Sequence, residues 1–105
     1  MPLFKTDAFH ALADPTRRRI LELLIPGECR VSDLATYFKM SQPAVSQHLG
    51  VLRRARLLNA KRHGRERFYR IRPEGLRPVY DWIATYEQFW TSKLDALDRH
   101  LDQNK

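Results

Sequence analysis

The chain has 105 residues and a mass of 12.5 kDa, which is enough for one domain. Its composition, 43% hydrophobic and 30% charged, is that of a folded globular protein, and its single cysteine, Cys29, argues against a disulfide-stapled secreted scaffold. No apolar run is long enough to span a membrane and the first residues lack a signal-peptide pattern, so we expect a single-domain cytoplasmic protein.

The net charge of +7 is concentrated in the middle of the chain. Residues 41–72 contain nine basic residues and one acid, Glu66, a net charge of +8. Residues 1–40 have six basic and five acidic residues, and residues 73–105 have four basic and six acidic ones. A concentrated cationic block, most of it arginine, is typical of proteins that bind a phosphate backbone. A solvated face without a partner is the alternative interpretation.

The first two predicted helices are short and follow each other closely. Apolar residues at helical spacing predict a helix over residues 6–12, which Asp14-Pro15 closes. Asp14 can cap the second helix, with Pro15 at its first position, where the missing N–H costs nothing. The second helix has an apolar stripe for burial and ends at Pro26-Gly27.

The third and fourth predicted helices form a helix-turn-helix. The third starts at Ser32, whose hydroxyl is the predicted N-cap, and runs through Phe38. After a turn of about three residues, Ser41 caps the fourth helix, which has Pro43 in its first turn. A short turn followed by a helix that opens with small polar side chains is the pattern of a DNA-binding helix-turn-helix.

After Leu58 the sequence pattern changes to that of short strands. The runs over residues 59–63 and 65–72 are separated by a turn at Gly64, which predicts a β-hairpin. One long helix is predicted from Leu76 to about Gln103. The predicted fold class is therefore mainly α with a small β-hairpin, in the order α-α-α-α-β-β-α, a helix-turn-helix with a β wing and a terminal helix.

Several strings along this order match one family. They are Leu12-Ala13-Asp14-Pro15-Thr16-Arg17, then Ile20 and Leu23-Leu24, Val31-Ser32-Asp33-Leu34, Ser41-Gln42-Pro43-Ala44-Val45-Ser46-Gln47-His48-Leu49 with Leu52, and Gly64, Tyr69, Arg70 and Ile71 in the wing. Over roughly residues 7–75 the chain resembles the ArsR/SmtB family of small bacterial winged-helix repressors. The resemblance implies a fourth helix in the major groove, a wing beside the backbone or minor groove, dimerisation through the first and last helices, and repression by blocking a promoter.

The start of the fourth helix and the wing carry the predicted DNA contacts. Gln42 and Gln47 can pair bidentately with adenine, an exposed Ala44 can touch a thymine methyl, and a helix N-terminus favours phosphate. The predicted DNA-binding residues are Ser41, Gln42, Ala44, Val45, Ser46, Gln47, His48, Arg62, Arg65 and Arg67. Alternatively, Ser46 and His48 only cap and pack. At the other end of this helix, two interpretations of Arg53, Arg54 and Arg56 have equal weight. They either contact the DNA backbone or are charges exposed to solvent.

The apolar stripe of the terminal helix is too wide to be covered within a monomer of this size. We expect it to pack against a second copy of the chain, since exposing such a stripe is costly. The predicted dimer-interface residues are Phe4, Phe9, Leu12, Val79, Trp82, Ile83, Tyr86, Phe89, Trp90, Leu94, Leu97 and Leu101. A cofactor pocket among the aromatic residues is the weaker alternative. The single domain 1–105 then divides into a DNA-binding core, residues 6–75, and a dimerisation helix, residues 76–103.

The metal-binding positions of the resembled family are not filled in this chain. Its Cys-x-Cys motif before the third helix corresponds here to Arg30 and Ser32, and Cys29 lies one residue outside the motif. The terminal helix offers His100 as its one histidine, and a thiolate or imidazole site needs several converging ligands. We therefore expect no metal and no cofactor, and the effector is unknown; a metal- or thiol-responsive repressor remains an alternative.

The predicted function is a sequence-specific DNA-binding transcriptional repressor acting as a homodimer at a pseudo-palindromic operator. No acid pair, nucleophile–base spacing or Gly-rich phosphate loop predicts an enzyme. The expected partners are double-stranded DNA and a second copy of the chain, and no association with a membrane is expected. The expected location is the bacterial cytoplasm, at the nucleoid. A winged-helix module for protein assembly or RNA binding is the alternative of another class. A protein-binding module has no need for the cationic block or for the polar start of the fourth helix.

Overall fold

The computed structural model of the protein describes residues 7–103. In chain order these residues form α1 (Ala8–Leu12), α2 (Pro15–Leu24), β1 (Cys29–Arg30), α3 (Val31–Ala35), α4 (Gln42–Arg54), β2 (Leu58–His63), β3 (Glu66–Ile71), a 3-10 turn (Pro73–Leu76), α5 (Arg77–Ala84) and α6 (Glu87–Gln103). The three strands make an antiparallel sheet in the order β1-β3-β2. The mainly helical composition and the hairpin after the helix-turn-helix are as predicted.

Side-chain caps fix where the helices begin. The Asp14 carboxylate accepts from the N–H of Arg17 at 3.1 Å, which starts α2 at Pro15 as predicted. The Ser41 hydroxyl accepts from the N–H of Ala44 at 3.2 Å and starts α4, again as predicted. A capping oxygen satisfies an N–H that has no partner within the helix. Asp7 caps α1 in the same way, so α1 begins at Ala8. The predicted start at residue 6 lies outside the described residues.

A short strand before α3 is absent from the prediction and shifts the start of that helix. Cys29 pairs with Tyr69 and Arg30 with Phe68, which makes β1 the third strand of the sheet. This pairing holds the backbone extended up to residue 30, so α3 begins directly at Val31 and its N-cap is not the predicted serine. A two-residue strand is too short to show an alternating pattern, and the sequence therefore gave no sign of it.

The turn of the helix-turn-helix is longer than predicted. The prediction ran α3 through Phe38, but α3 ends at Ala35 and residues 36–41 connect it to α4. The hydroxyl of Thr36 donates to the carbonyl oxygen of Asp33 at 2.7 Å, and the N–H groups of residues 36–38 bond to carbonyls three residues back. Such bonds tighten the last turn of a helix and end it.

The single terminal helix predicted over residues 76–103 is wrong, because residues 85 and 86 separate α5 from α6. The hydroxyl of Thr85 donates to the carbonyl oxygen of Asp81 at 3.0 Å. The N–H of Tyr86 bonds to the carbonyl oxygen of Ile83 at 2.9 Å, three residues back rather than four. A side-chain bond to the carbonyl four residues back bends a helix. The apolar periodicity continues through this break, which is why the sequence alone predicted one helix.

The core lies between α1, α2, α3, one face of α4 and the sheet. Its largest fully buried side chains are Ile20, Leu34, Val45, Leu49, Leu52, Leu57 and Leu58. Because α4 supplies three of these seven side chains, that helix is fixed in orientation and its opposite face is presented outward. Among the described residues, no helix is long and apolar enough to cross a bilayer.

Candidate nucleic-acid interface

The outward face of α4 is polar at its N-terminal end. Ser41, Gln42, Ser46 and Gln47 are exposed, and Ala44 is partly buried. All of them lie within the first six helical residues or at the cap, so their side chains are grouped at the N-terminal end of α4. This surface offers hydrogen-bonding groups on a rigid helix, which is what reading base edges in a major groove requires.

Val45 does not belong to this surface. Its side chain is 0% exposed and packs in the core. It lies on the same helical face as Leu49 and Leu52, which are buried as well. The expectation that Val45 contacts DNA is therefore wrong, because residues at positions i, i+4 and i+7 share one face of a helix and this face is covered.

His48 joins α4 to the start of α2. Its Nδ1 atom lies 3.7 Å from a carboxylate oxygen of Asp14 and 3.5 Å from a guanidinium nitrogen of Arg17. The same guanidinium donates to the carbonyl oxygens of Ala11 at 2.7 Å and His10 at 3.1 Å. The sequence did not indicate the contact between Arg17 and His48, because the two residues are 31 positions apart in the chain. These contacts support the packing alternative for His48, whose role in DNA binding stays a prediction.

The wing ends in a two-residue loop that exposes an arginine. His63 pairs with Glu66, so Gly64 and Arg65 form the tip of the hairpin. Gly64 has a φ of 63°, in the left-handed region where a glycine carries no steric penalty. Arg65 is exposed at this tip. The predicted hairpin and its turn are confirmed.

Two further arginines face each other below the wing tip. Arg62 pairs directly with Arg67 across the two strands, and both are exposed. Within residues 7–103 neither guanidinium has a hydrogen-bond or ion-pair partner in the structure. Like charges directly opposite each other destabilise a hairpin. An anion bound between them would remove that penalty.

The acid of the cationic block is held away from these arginines. Arg30 donates to Glu66 at 2.8 Å and to Asp33 at 3.2 Å. The hydrogen bonds and charges of Asp33, followed by those of Glu66, raise the pKa of Arg30 above its ordinary value. Sequence analysis missed this role of Arg30, since Glu66 lies 36 residues further along the chain.

A second surface, on α5 and α6, is apolar. Trp82, Ile83, Tyr86, Phe89, Trp90, Leu94, Leu97 and Leu101 are all between 42% and 60% exposed. Phe9 of α1 packs edge-to-face on Trp82, with ring centroids 5.9 Å apart. Leu12 and Val79 are instead packed partly against the core. Phe4 lies outside the described residues. The structure therefore groups the described members of the predicted dimer interface around α1, α5 and α6.

Candidate metal ligands do not converge in the part of the chain that the structure describes. No group of three or more His, Cys, Asp or Glu side chains within residues 7–103 could hold an ion. The Cys29 sulfur has the carbonyl oxygen of Gly27 3.9 Å away.

Comparison with known proteins assigns this combination of helix-turn-helix and wing to a family. The model of the bacterial regulatory proteins of the arsR family matches residues 14–60. The HTH-type transcriptional regulator Rv2034 of Mycobacterium tuberculosis is 41% identical over 95 residues, 90% of this chain and 86% of that protein. The transcriptional repressor SdpR of Bacillus subtilis is 34% identical over 80 residues, 76% of this chain and 89% of that protein. The chain belongs to the arsR family.

Solved structures of arsR-family proteins have the same fold. The crystal structure of an ArsR family transcriptional regulator matches with a TM-score of 0.71 and 36% identity, over 79% of this chain and 91% of that one. An ArsR-like transcriptional regulator from Rhodococcus matches with a TM-score of 0.64 and 31% identity, over 87% and 86% of the two chains. The predicted winged helix-turn-helix fold is confirmed, and the protein is a DNA-binding transcriptional regulator rather than an enzyme.

Proposed function

We propose that this arsR-family regulator is a homodimeric repressor that blocks promoters at a pseudo-palindromic operator. The observation that carries the proposal is the arrangement of α4, whose buried face anchors it while its polar face stays open to solvent. The start of α4 enters the major groove, where Gln42 and Gln47 read base edges. The wing arginines Arg62, Arg65 and Arg67 bind the phosphate backbone or the minor groove.

The electrostatics of the wing support a polyanionic partner. The Arg62–Arg67 pair is unfavourable in the free protein and becomes favourable when a phosphate lies between the two guanidinium groups. Arg65 extends the same charge to the wing tip. The acid of this region is already engaged by Arg30, so it does not repel the phosphates with its full charge.

The apolar surface of α5 and α6 supports a second copy as the other partner. Large aromatic and aliphatic side chains there are about half exposed, and isolated soluble chains seldom expose an apolar stripe of this length. A two-fold dimer through this surface would present two α4 helices to half-sites about 34–36 Å apart. It would act in the bacterial cytoplasm, on the nucleoid, because the target that it binds is promoter DNA.

Selection of bound fragments from a random duplex library tests the proposal. A pseudo-palindromic motif with half-site centres about one helical turn apart is the expected result. Absence of any motif above bulk competitor would contradict operator binding. A motif without two-fold symmetry would contradict the homodimer while leaving DNA binding in place.

A matched pair of variants separates base reading from backbone binding. We expect Gln47→Ala to lose discrimination between operator and random duplex, at a cost of about 1–3 kcal/mol on the operator alone. We expect Arg65→Ala to weaken binding to both duplexes about equally and to reduce the slope of log K against log salt by about one. Fluorescence anisotropy at several salt concentrations measures both. Equal losses on the two duplexes for Gln47→Ala would remove this residue from base reading.

A further inference from the structure

Gly50 lies near the middle of the outward face of α4. The exposed side chains around it are Ser46, Gln47, Arg53 and Arg54, and the buried ones lie on the opposite side of the helix. Glycine in a helix interior destabilises the helix relative to alanine. Gly50 does not have a positive φ, so the backbone conformation does not require a glycine at this position.

The space above Gly50 is occupied by the side chain of Arg54. A Cβ atom at position 50 would meet a guanidinium nitrogen of Arg54 at 3.3 Å and the guanidinium carbon at 3.9 Å. Helical side chains point back toward the N-terminus, so a residue at i+4 covers position i. The Arg54 guanidinium therefore lies one turn back from its own Cα, in a shallow groove that Ser46, Gln47 and Val51 also line.

This guanidinium is available for a ligand. Within residues 7–103 Arg54 makes no side-chain hydrogen bond or ion pair, unlike Arg17, Arg30 and Arg72, which bind protein oxygens. Arg54 is also exposed. Its five N–H donors are thus directed to solvent at the level of the side chains that are proposed to read bases.

We propose that Arg54 reads a guanine in the major groove and that Gly50 is the positioning residue that leaves room for its guanidinium. This inference rests on the proposed DNA binding by α4. A guanidinium matches the O6 and N7 acceptors of guanine with two parallel hydrogen bonds. Because the Arg54 guanidinium lies beside Gln47 on the face of α4 that is proposed to enter the groove, it would lie nearer to the base edges than to the phosphates.

Library selection with Arg54 variants tests the assignment. The wild type is expected to select a guanine at one position of each half-site, and Arg54→Ala to lose that preference, roughly 5- to 150-fold in relative affinity. Arg54→Lys is not expected to restore it, since an ammonium lacks the planar fork. A uniform loss on all sequences, with a smaller salt slope, would identify a phosphate contact and overturn the proposal.

A double-mutant cycle tests the role of Gly50. Gly50→Ala is expected to raise the unfolding midpoint and yet to weaken the guanine preference, because the added methyl displaces the guanidinium. In the Arg54→Ala background, Gly50→Ala should have no further effect on binding. An equal loss in both backgrounds would mean that the DNA itself needs the space, which overturns the role of Gly50.

The outcomes also separate this inference from the proposed function. If the wild type selects an operator and Gln47→Ala weakens it while Arg54→Ala leaves the motif unchanged, only the inference about Arg54 fails. If the wild type selects no motif at all, the proposed function fails and the inference fails with it. Circular dichroism of each variant checks that its helix content is unchanged.

Discussion

A single residue in a strained conformation ends α4. Arg56 has a φ of 64°, in the left-handed region that non-glycine residues rarely adopt. Its N–H bonds to the carbonyl of Arg53 at 2.9 Å, and the N–H of Leu57 bonds to the carbonyl of Leu52 at 2.9 Å. These two bonds form a Schellman motif, whose left-handed position is usually a glycine. The carbonyl of Arg56 is also enclosed, since a Cβ on Gly75 would overlap it.

Arg56→Gly should therefore stabilise the protein by about 1 kcal/mol, because glycine carries no steric penalty at this φ. Arg53→Gly is the matched control, since the same substitution inside the last helical turn should destabilise the protein by about 0.5–1 kcal/mol. Urea unfolding at a fixed protomer concentration measures the midpoints of both variants. Loss of stability in both would show that the Arg56 side chain outweighs its backbone strain.

Asp14 has two roles that substitutions can separate. Its carboxylate caps α2 and also lies 3.7 Å from His48 of α4. Asp14→Ala should cost about 1 kcal/mol of unfolding free energy, because the cap is lost. Asp14→Asn keeps an acceptor oxygen for the cap and removes the charge beside His48. Its cost in unfolding free energy should therefore be only about a few tenths of a kcal/mol. Thermal unfolding compares the two; equal costs would mean that the charge, not the cap, stabilises this junction.

At the scale of elements, the wing combines exposed cations with one neutralised acid. Arg30→Ala should weaken DNA binding although Arg30 is not a proposed DNA contact, because Glu66 is then left unpaired near the phosphates. In a Glu66→Gln background the same substitution should have little effect. Binding isotherms for the four proteins of this cycle give the coupling. A similar loss in both backgrounds would instead assign Arg30 a contact of its own.

Helix starts could be predicted from the sequence, whereas interruptions within apolar patterns could not. Asp14 and Ser41 predict the starts of α2 and α4, because a cap is a local interaction between residues close in sequence. The strand at residues 29–30 depends on pairing with residues 68–69, and the local pattern carries no such information. The break at Thr85 is set by a hydroxyl that competes for a helix carbonyl while the apolar spacing continues unchanged.

The candidate site shows the same division between local and tertiary information. The polar start of α4 and the arginines of the wing are visible in the sequence because composition and spacing place them. The assignment of Val45 failed because a position next to exposed residues can still face the core, and only the orientation of α4 against Leu49 and Leu52 decides this. The contacts of Arg17 and Arg30 join segments far apart in the chain, so no local signal identifies them.

The described part of the chain is more extended than a compact domain of its length. Its Cα radius of gyration is 17.6 Å, and the principal axes measure 57 × 41 × 21 Å. A compact chain of this length has a radius of gyration of about 13 Å. The exposed apolar surface of α5 and α6 is also unfavourable, because each large side chain buried there would contribute about 1.5–3 kcal/mol. A second copy that covers this surface would complete the fold.

Trp90→Asp tests dimerisation through this surface. A carboxylate at the centre of the apolar surface of α6 cannot be buried without a polar partner. We expect monomers in sedimentation velocity and, because a monomer presents a single α4, a loss of operator affinity of two or more orders of magnitude. Ser92→Asp is the matched control: position 92 is about 200° around the helix from position 90, so the same charge falls on the opposite face and should leave both dimer and operator binding intact. A Trp90→Asp protein that stays dimeric would place the interface elsewhere. A monomer that still binds the full operator with wild-type affinity would instead contradict the pairing of two α4 helices on one duplex.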